Sequence, residues 1–135
     1  MLDDGRTILV SGGDDGGLSF LVASSPASTG RMLSSPPMVV TRAHASAITA
    51  CAIVCHEARI FILTSGNDEW IRLWEVVINM SENEDPLQIK RLKKMKTFVA
   101  DVSDMAVLDG DDGNHARVLL CGVGMEVIRI DWTDL

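Results

Sequence analysis

The sequence predicts an all-β fold assembled from repeated hairpins, and three observations carry that prediction. Short apolar runs bounded by Gly, Asp, Asn and Ser recur along all 135 residues. No stretch keeps apolar residues at helical spacing over three turns. Three segments share one form, an apolar strand, a Gly-containing turn and a second apolar strand: SGGDDGGLSFL, TSGNDEWIRLW and CGVGMEVIRI.

Taken in order, residues 7–11 (TILVS) and 18–23 (LSFLVA) flank GGDDGG, whose glycines and aspartates suit a reversal between antiparallel strands. Residues 24–37 are rich in Ser and Pro, which predicts a solvated connection before a short strand over 38–42. Strands follow over 46–54, 59–65 and 70–77; their near-continuous apolar runs imply sheets covered on both faces. Residues 78–86 read as an acidic loop, and the basic segment 88–98 as an irregular strand. Strands over 102–108, 117–123 and 126–132 complete the chain, with DGDDGNH as the turn between the first two.

The three hairpins form a spaced repeat. Asp15 stands six residues before Leu21, Asp68 six before Trp74, and Gly124 six before Ile130. The markers lie 53 and 56 residues apart, longer than the roughly 40–45 of a compact four-stranded repeat. The loops at 24–37 and 78–86 hold the excess.

Composition bounds the function. Twelve basic against 19 acidic residues give a net charge of -7, so the surface as a whole is not built to grip nucleic acid. Five of the 12 cations nevertheless fall within residues 90–96, KRLKKMK. No apolar run approaches the ~18 residues of a membrane span, and the acidic start does not match a secretory signal. A cytoplasmic location is expected. Three cysteines do not make a disulfide framework.

The segment AHASAITACAIVCHEARIFILTSGNDEWIRLWEV resembles a WD repeat from its histidine to its Trp-Glu ending. The resemblance implies a partial β-propeller, with His44, Thr64, Asp68 and Trp74 as the chain of hydrogen bonds that locks a blade, running Trp74 to Thr64 to His44 to Asp68. Ala43 stands where such repeats usually have Gly. The first hairpin has Leu21 in place of Trp, and the last has Gly124 in place of Asp and Ile130 in place of Trp. Those two blades are expected to lack the full network. By the same resemblance residues 1–42 form the end of one blade, 43–98 a complete blade with an acidic and basic insertion, and 99–135 a terminal partial blade.

The end of the chain is more specific. VADVSDM (99–105) followed by GVGMEV (122–127) is similar to the C-terminal part of the WD repeat-containing protein six family. That resemblance implies a non-catalytic scaffold that partners a tRNA ribose 2′-O-methyltransferase acting on the wobble nucleotide. S-adenosylmethionine belongs to the partner enzyme, so no cofactor is expected here. The alternative is a generic WD-repeat interaction module in another complex, endosomal trafficking included. Propellers close with 4–8 blades, and three incomplete ones cannot. The chain is therefore expected to be the tail of a larger protein, a truncated gene model, or half of a propeller completed by another chain. Met1 just before a blade's second strand favours truncation.

Other candidate sites dissolve on inspection. In CAIVCH three residues separate Cys51 from Cys55, one too many for haem attachment, and on a strand His56 points away from both. The three cysteines are expected to sit buried as small apolar residues. The Gly12–Gly17 run lacks a Gly-Lys-Ser/Thr ending and leads into a strand, so it is not a phosphate loop. Asp14-Asp15 and Asp111-Asp112 lack the spaced ligands of a calcium loop. The sequon NMS at 79–81 has no use in an intracellular chain. His44 near Thr64 and Asp68 is composed like a catalytic triad, but the WD pattern buries it under Trp74. The basic strand carries the one functional claim: Lys90, Arg91, Lys93, Lys94 and Lys96 are candidate contacts for RNA phosphates. Edge protection by lysine is the competing explanation.

Overall fold

The computed structural model describes residues 6–24, 33–34, 36–79, 87–108 and 113–135. Most of the Ser/Pro-rich connection, the acidic loop, Asp111-Asp112, and Met80 and Ser81 of the sequon lie outside the described residues. Among the described residues the fold is all-β, in three antiparallel sheets, and the one helical element is a 3-10 turn, Trp132–Asp134.

The first sheet is built on β1 (Arg6–Gly12) and β2 (Leu18–Ser24), paired from Arg6↔Ser24 to Gly12↔Leu18. The other side of β2 is shared by β3 (Leu33–Ser34) and β4 (Met38–Val40). Composition predicts a connection without strands over 24–37. The structure instead places β3 there, because Ala23↔Ser34 and Ser24↔Leu33 extend the ladder beyond β4.

The second sheet is a sequential meander of β5 (Ile48–His56), β6 (Arg59–Gly66), β7 (Trp70–Ile78) and β8 (Leu87–Lys96). A bulge opposite Leu73 and Trp74 makes β8 irregular. Residues 61–66 of β6 are all buried, as a strand covered on both faces requires. The third sheet pairs β9 (Ala100–Leu108) with β10 (His115–Asp131), from Arg117↔Leu108 to Val123↔Ala100. A straight 17-residue strand would span roughly 55 Å. Yet the Trp132 amide donates to the Asn114 carbonyl at 3.1 Å, so β10 doubles back on itself. Gly124, at φ 107°, lies near the midpoint of that reversal and supplies a backbone angle that L side chains rarely adopt. Trp132 itself leaves the strand and enters the 3-10 turn.

The repeat read from the sequence is also a repeat of register. Adding 53 to both members of Ser11↔Ser19 and Gly12↔Leu18 gives Thr64↔Arg72 and Ser65↔Ile71, both pairs of the second sheet. The left-handed turn residue follows the same spacing, Gly16 at φ 76° and Glu69 at φ 60°.

Two cores separate the three sheets. Leu18, Phe20 and Val22 of the first pack with Ile62, Trp74 and Val76 of the second. On the opposite face of the second sheet, Phe61, Leu63, Ile71 and Leu73 pack with Val102, Val118, Leu120 and Ile130 of the third. The alternation along β6 and β7 sends successive side chains into different cores. The second sheet is thus the filling of a three-layer stack.

Candidate functional site

The junction of the first and second sheets is built by the backbone. The His44 N–H donates to the Gly16 carbonyl at 3.0 Å, and the Ile48 N–H donates to the Gly13 carbonyl at 3.1 Å. A Cβ on Gly16 would fall 2.3 Å from the His44 carbonyl oxygen, so the approach is open to glycine alone. This closeness carries His44 into the second sheet, where it is 1% exposed.

There the structure brings His44, Thr64, Asp68 and Trp74 into one chain. The Trp74 indole donates to Thr64 Oγ1 at 2.9 Å. Thr64 Oγ1 lies 2.8 Å from His44 Nε2, and His44 Nδ1 lies 3.0 Å from Asp68 Oδ1. Since Thr64 already accepts from the indole, the consistent arrangement has its hydroxyl donating to Nε2 and Nδ1–H donating to the carboxylate. That arrangement needs a neutral imidazole. Burial pushes His44 below the ordinary histidine value, outweighing the upward pull of Asp68.

Asp68 gathers further donors. Its carboxylate accepts the Ala45 N–H at 3.1 Å and the Trp70 N–H at 3.2 Å, and Arg72 Nη2 stands 3.6 Å away. Burial alone would raise its pKa, but the His44 hydrogen bond and these amides prevail and hold it below the usual carboxylate range. Thr64 is fully buried and Trp74 is 3% exposed. The hydroxyl therefore has no face from which a substrate could be attacked.

The third sheet carries a partial counterpart that the sequence pattern misses. Thr97 follows His44 by 53 residues, and its N–H donates to the Glu69 carbonyl at 3.1 Å, as His44 does to Gly16. The Thr97 hydroxyl donates to Glu126 Oε2 at 2.6 Å, and the Phe98 N–H donates to the same oxygen at 3.0 Å. Glu126 thus occupies the role of Asp68, with Thr97 and Phe98 in place of His44 and Ala45. The marker rule selects Gly124 at this place, whereas the acceptor stands two residues later. The spacing from His44 to Thr97, equal to that from Asp15 to Asp68, is the signal that could have found it. Leu120 and Ile130 stand where 56-residue spacing places Thr64 and Trp74, and both are buried apolar residues. In the first sheet Asp15 keeps the local part of the motif, accepting the Gly17 N–H at 2.9 Å.

The basic residues lie along β8, paired on one side with β7. Lys90, Arg91, Lys94 and Lys96 are exposed, and Lys93 is half-buried. Several are engaged in the fold. Lys94 Nζ stands 3.6 Å from the centre of the Trp70 ring, Lys96 lies 3.4 Å from Glu69, and Lys93 lies 4.0 Å from Asp134.

The cysteines require a correction. Cys51 and Cys55 are exposed and Cys121 is half-buried. On β5 the alternation points Ala50, Ala52 and Val54 into the core, leaving the cysteines on the opposite face. His56 stacks on Trp132 at 4.8 Å instead of approaching them. Among the described residues no group of three or more His, Cys, Asp or Glu side chains could hold a metal ion. An open cleft of about 520 Å³ lies beside His56, Arg59, Asn114 and Trp132. No helix among the described residues is long and apolar enough to cross a membrane.

Comparison with protein-family models finds none that matches this chain, and no curated protein matches it either.

Proposed function

We propose that the chain is a non-catalytic, cytoplasmic scaffold made of WD-repeat propeller blades. The observation that carries this reading is the buried chain Trp74, Thr64, His44, Asp68 within a four-stranded meander. Its side chains bond to one another inside the second sheet, and the His44 N–H ties the same residue to the Gly16 carbonyl of the first. A hydrolase triad of the same composition needs its hydroxyl open to substrate, and Thr64 is fully buried.

The specific role we propose is that of an accessory subunit for 2′-O-ribose methylation of the tRNA wobble nucleotide. It rests on the resemblance of residues 99–105 and 122–127 to the WD repeat-containing protein six family. The methyltransferase is a separate polypeptide and brings its own S-adenosylmethionine. The β8 cations supply a surface for RNA phosphates, with Lys90 and Arg91 exposed on an edge strand.

A generic protein-interaction module is the second reading. It is favoured by the engagement of Lys93, Lys94 and Lys96 within the fold.

Affinity purification from native cells, combined with mapping of tRNA ribose methylation after gene deletion, separates the two. Recovery of a tRNA methyltransferase together with loss of the wobble 2′-O-methyl group supports the specific role. A different complex with intact wobble methylation rejects it and leaves the interaction module.

A further inference from the structure

The middle sheet of the stack ends on an open edge. β8 pairs with β7 on one side, and among the described residues no strand pairs with its other side. Both faces of this sheet already lie against neighbouring sheets. Further sheets stacked on the outer face of the first or of the third would leave the β8 edge as it is.

The part of β8 beyond the bulge at Leu73 and Trp74 has a definite geometry. The Thr97 N–H donates to the Glu69 carbonyl, on the β7 side. Backbone groups alternate in direction along an antiparallel strand, so those of Lys94 and Lys96 turn to the open edge. The side chains divide between the two faces. Lys94 and Lys96 pair with Arg72 and Trp70 on the face toward the first sheet, whereas Lys93 pairs with Leu73 on the face toward the third. Their ion pairs are loose: Lys96 and Glu69 are 61% and 51% exposed, and Lys93 and Asp134 are 40% and 60% exposed. Pairs this exposed contribute little, so the ammonium groups can exchange partners.

We infer that this edge takes up an acidic, extended segment of a protein partner as a fifth strand of the second sheet. The segment's backbone pairs with Lys94 and Lys96, and its carboxylates meet Lys93, Lys94 and Lys96. The inference rests on the scaffold reading and says how one partner is held. Two features select this occupant. A strand sends successive side chains to opposite faces and so reaches the cations on both, whereas a nucleic-acid backbone laid on one face does not. Phosphate oxygens only accept hydrogen bonds, while a peptide backbone offers both the N–H and the C=O that an open edge requires. Lysines on an edge repel basic and like strands, and that repulsion leaves acidic ones favoured. Lys90 and Arg91, before the bulge, take no part.

Fluorescence anisotropy tests this on the protein at the length its cells produce. The probe is a labelled peptide of Glu and Val with its glutamates in adjacent pairs, so that both faces of the strand carry carboxylates. A second peptide of the same sequence and charge carries N-methyl groups on alternate backbone nitrogens. The first peptide should bind and should weaken with added salt. It should bind at least about tenfold more weakly to the double variant Lys94→Glu, Lys96→Glu, because like charges then face each other. The N-methylated peptide should bind the unaltered protein at least about tenfold more weakly, since strand pairing needs its N–H groups. Lys94→Gln with Lys96→Gln replaces the double variant if circular dichroism shows that it does not fold, and should weaken binding in the same direction. Four outcomes overturn the inference: no binding up to millimolar peptide, equal binding of the N-methylated peptide, equal binding by a folded variant, or displacement of the peptide by single-stranded RNA of the same charge at lower concentration than the peptide itself needs. None of them alters the methylation experiment, so failure of this inference and failure of the scaffold reading are told apart.

Discussion

Thr97 donates its hydroxyl to Glu126 at 2.6 Å, and 53 residues earlier His44 meets Asp68 at 3.0 Å. In both places the residue after the donor adds a backbone N–H to the same carboxylate. Each carboxylate belongs to a sheet, and each donor pair belongs to the connection entering that sheet. The connection is fastened before its first strand begins. An acidic latch is therefore a recurring device of this fold, larger and more buried in the second sheet and reduced in the third.

Replacing the indole donor should weaken the second sheet. In Trp74→Phe the Thr64 hydroxyl loses the N–H it accepts at 2.9 Å, and some buried volume disappears. A loss of about 1–3 kcal/mol is expected from the unsatisfied buried group. Urea unfolding followed by circular dichroism measures it; no change in midpoint would place the stability of the sheet elsewhere.

Acid should destabilise the chain in two stages. His44 has a folded pKa below its unfolded value, so the unfolded chain binds the proton more readily. Its contribution is complete above about pH 6.5 and is lost as pH falls below that value. Asp68 is likewise lowered, and its contribution is lost as pH falls through the ordinary carboxylate range near ~4. Melting temperature should fall from pH 7.5 to 5.5, and the decline should be shallower in His44→Asn. Equal slopes in the two proteins would remove His44 as the source.

A methyl group at position 16 should be poorly tolerated. Gly16→Ala places Cβ against the His44 carbonyl and forces alanine to φ 76°. The expected cost is about 1–3 kcal/mol. The same substitution at Gly113, also at positive φ but with open space around it, should cost less. Paired denaturation curves of the two variants make the comparison.

The thiols should report the strand alternation. Cys51 and Cys55 should both react with a thiol reagent in the native protein, since both are exposed, and Cys51 should be slowed relative to the denatured chain because partial burial pushes its thiol pKa up. Protection of Cys51 and Cys55 until unfolding would mean that another surface covers that face of β5.

Much of this architecture was legible in the residues, and its gaps have physical causes. The GGDDGG and SGNDE turns fixed two hairpins because Gly and Asp supply the left-handed and Asx geometries that a reversal needs. His44, Thr64, Asp68 and Trp74 were legible as a set through the resemblance of their segment to a WD repeat, and the hydrogen bonds among them give that pattern its physical reason. Glu126 was hidden because its longer side chain reaches the connection from two residues beyond the marker. β3 was hidden because Leu33 and Ser34 pair only by virtue of where β2 ends. The cysteines were misplaced because their usual burial was given more weight than the alternation of Ala50, Ala52 and Val54.

The central claim, that one latch fastens successive sheets, is tested most directly by two double-mutant cycles. One cycle combines His44→Ala with Asp68→Ala, and the other Thr97→Val with Glu126→Ala, each read by urea unfolding. Coupling of about 0.5–3 kcal/mol in both pairs is the expected result. Additive losses at Thr97 and Glu126 would contradict the account, because their contact would then contribute nothing to holding the third sheet in place.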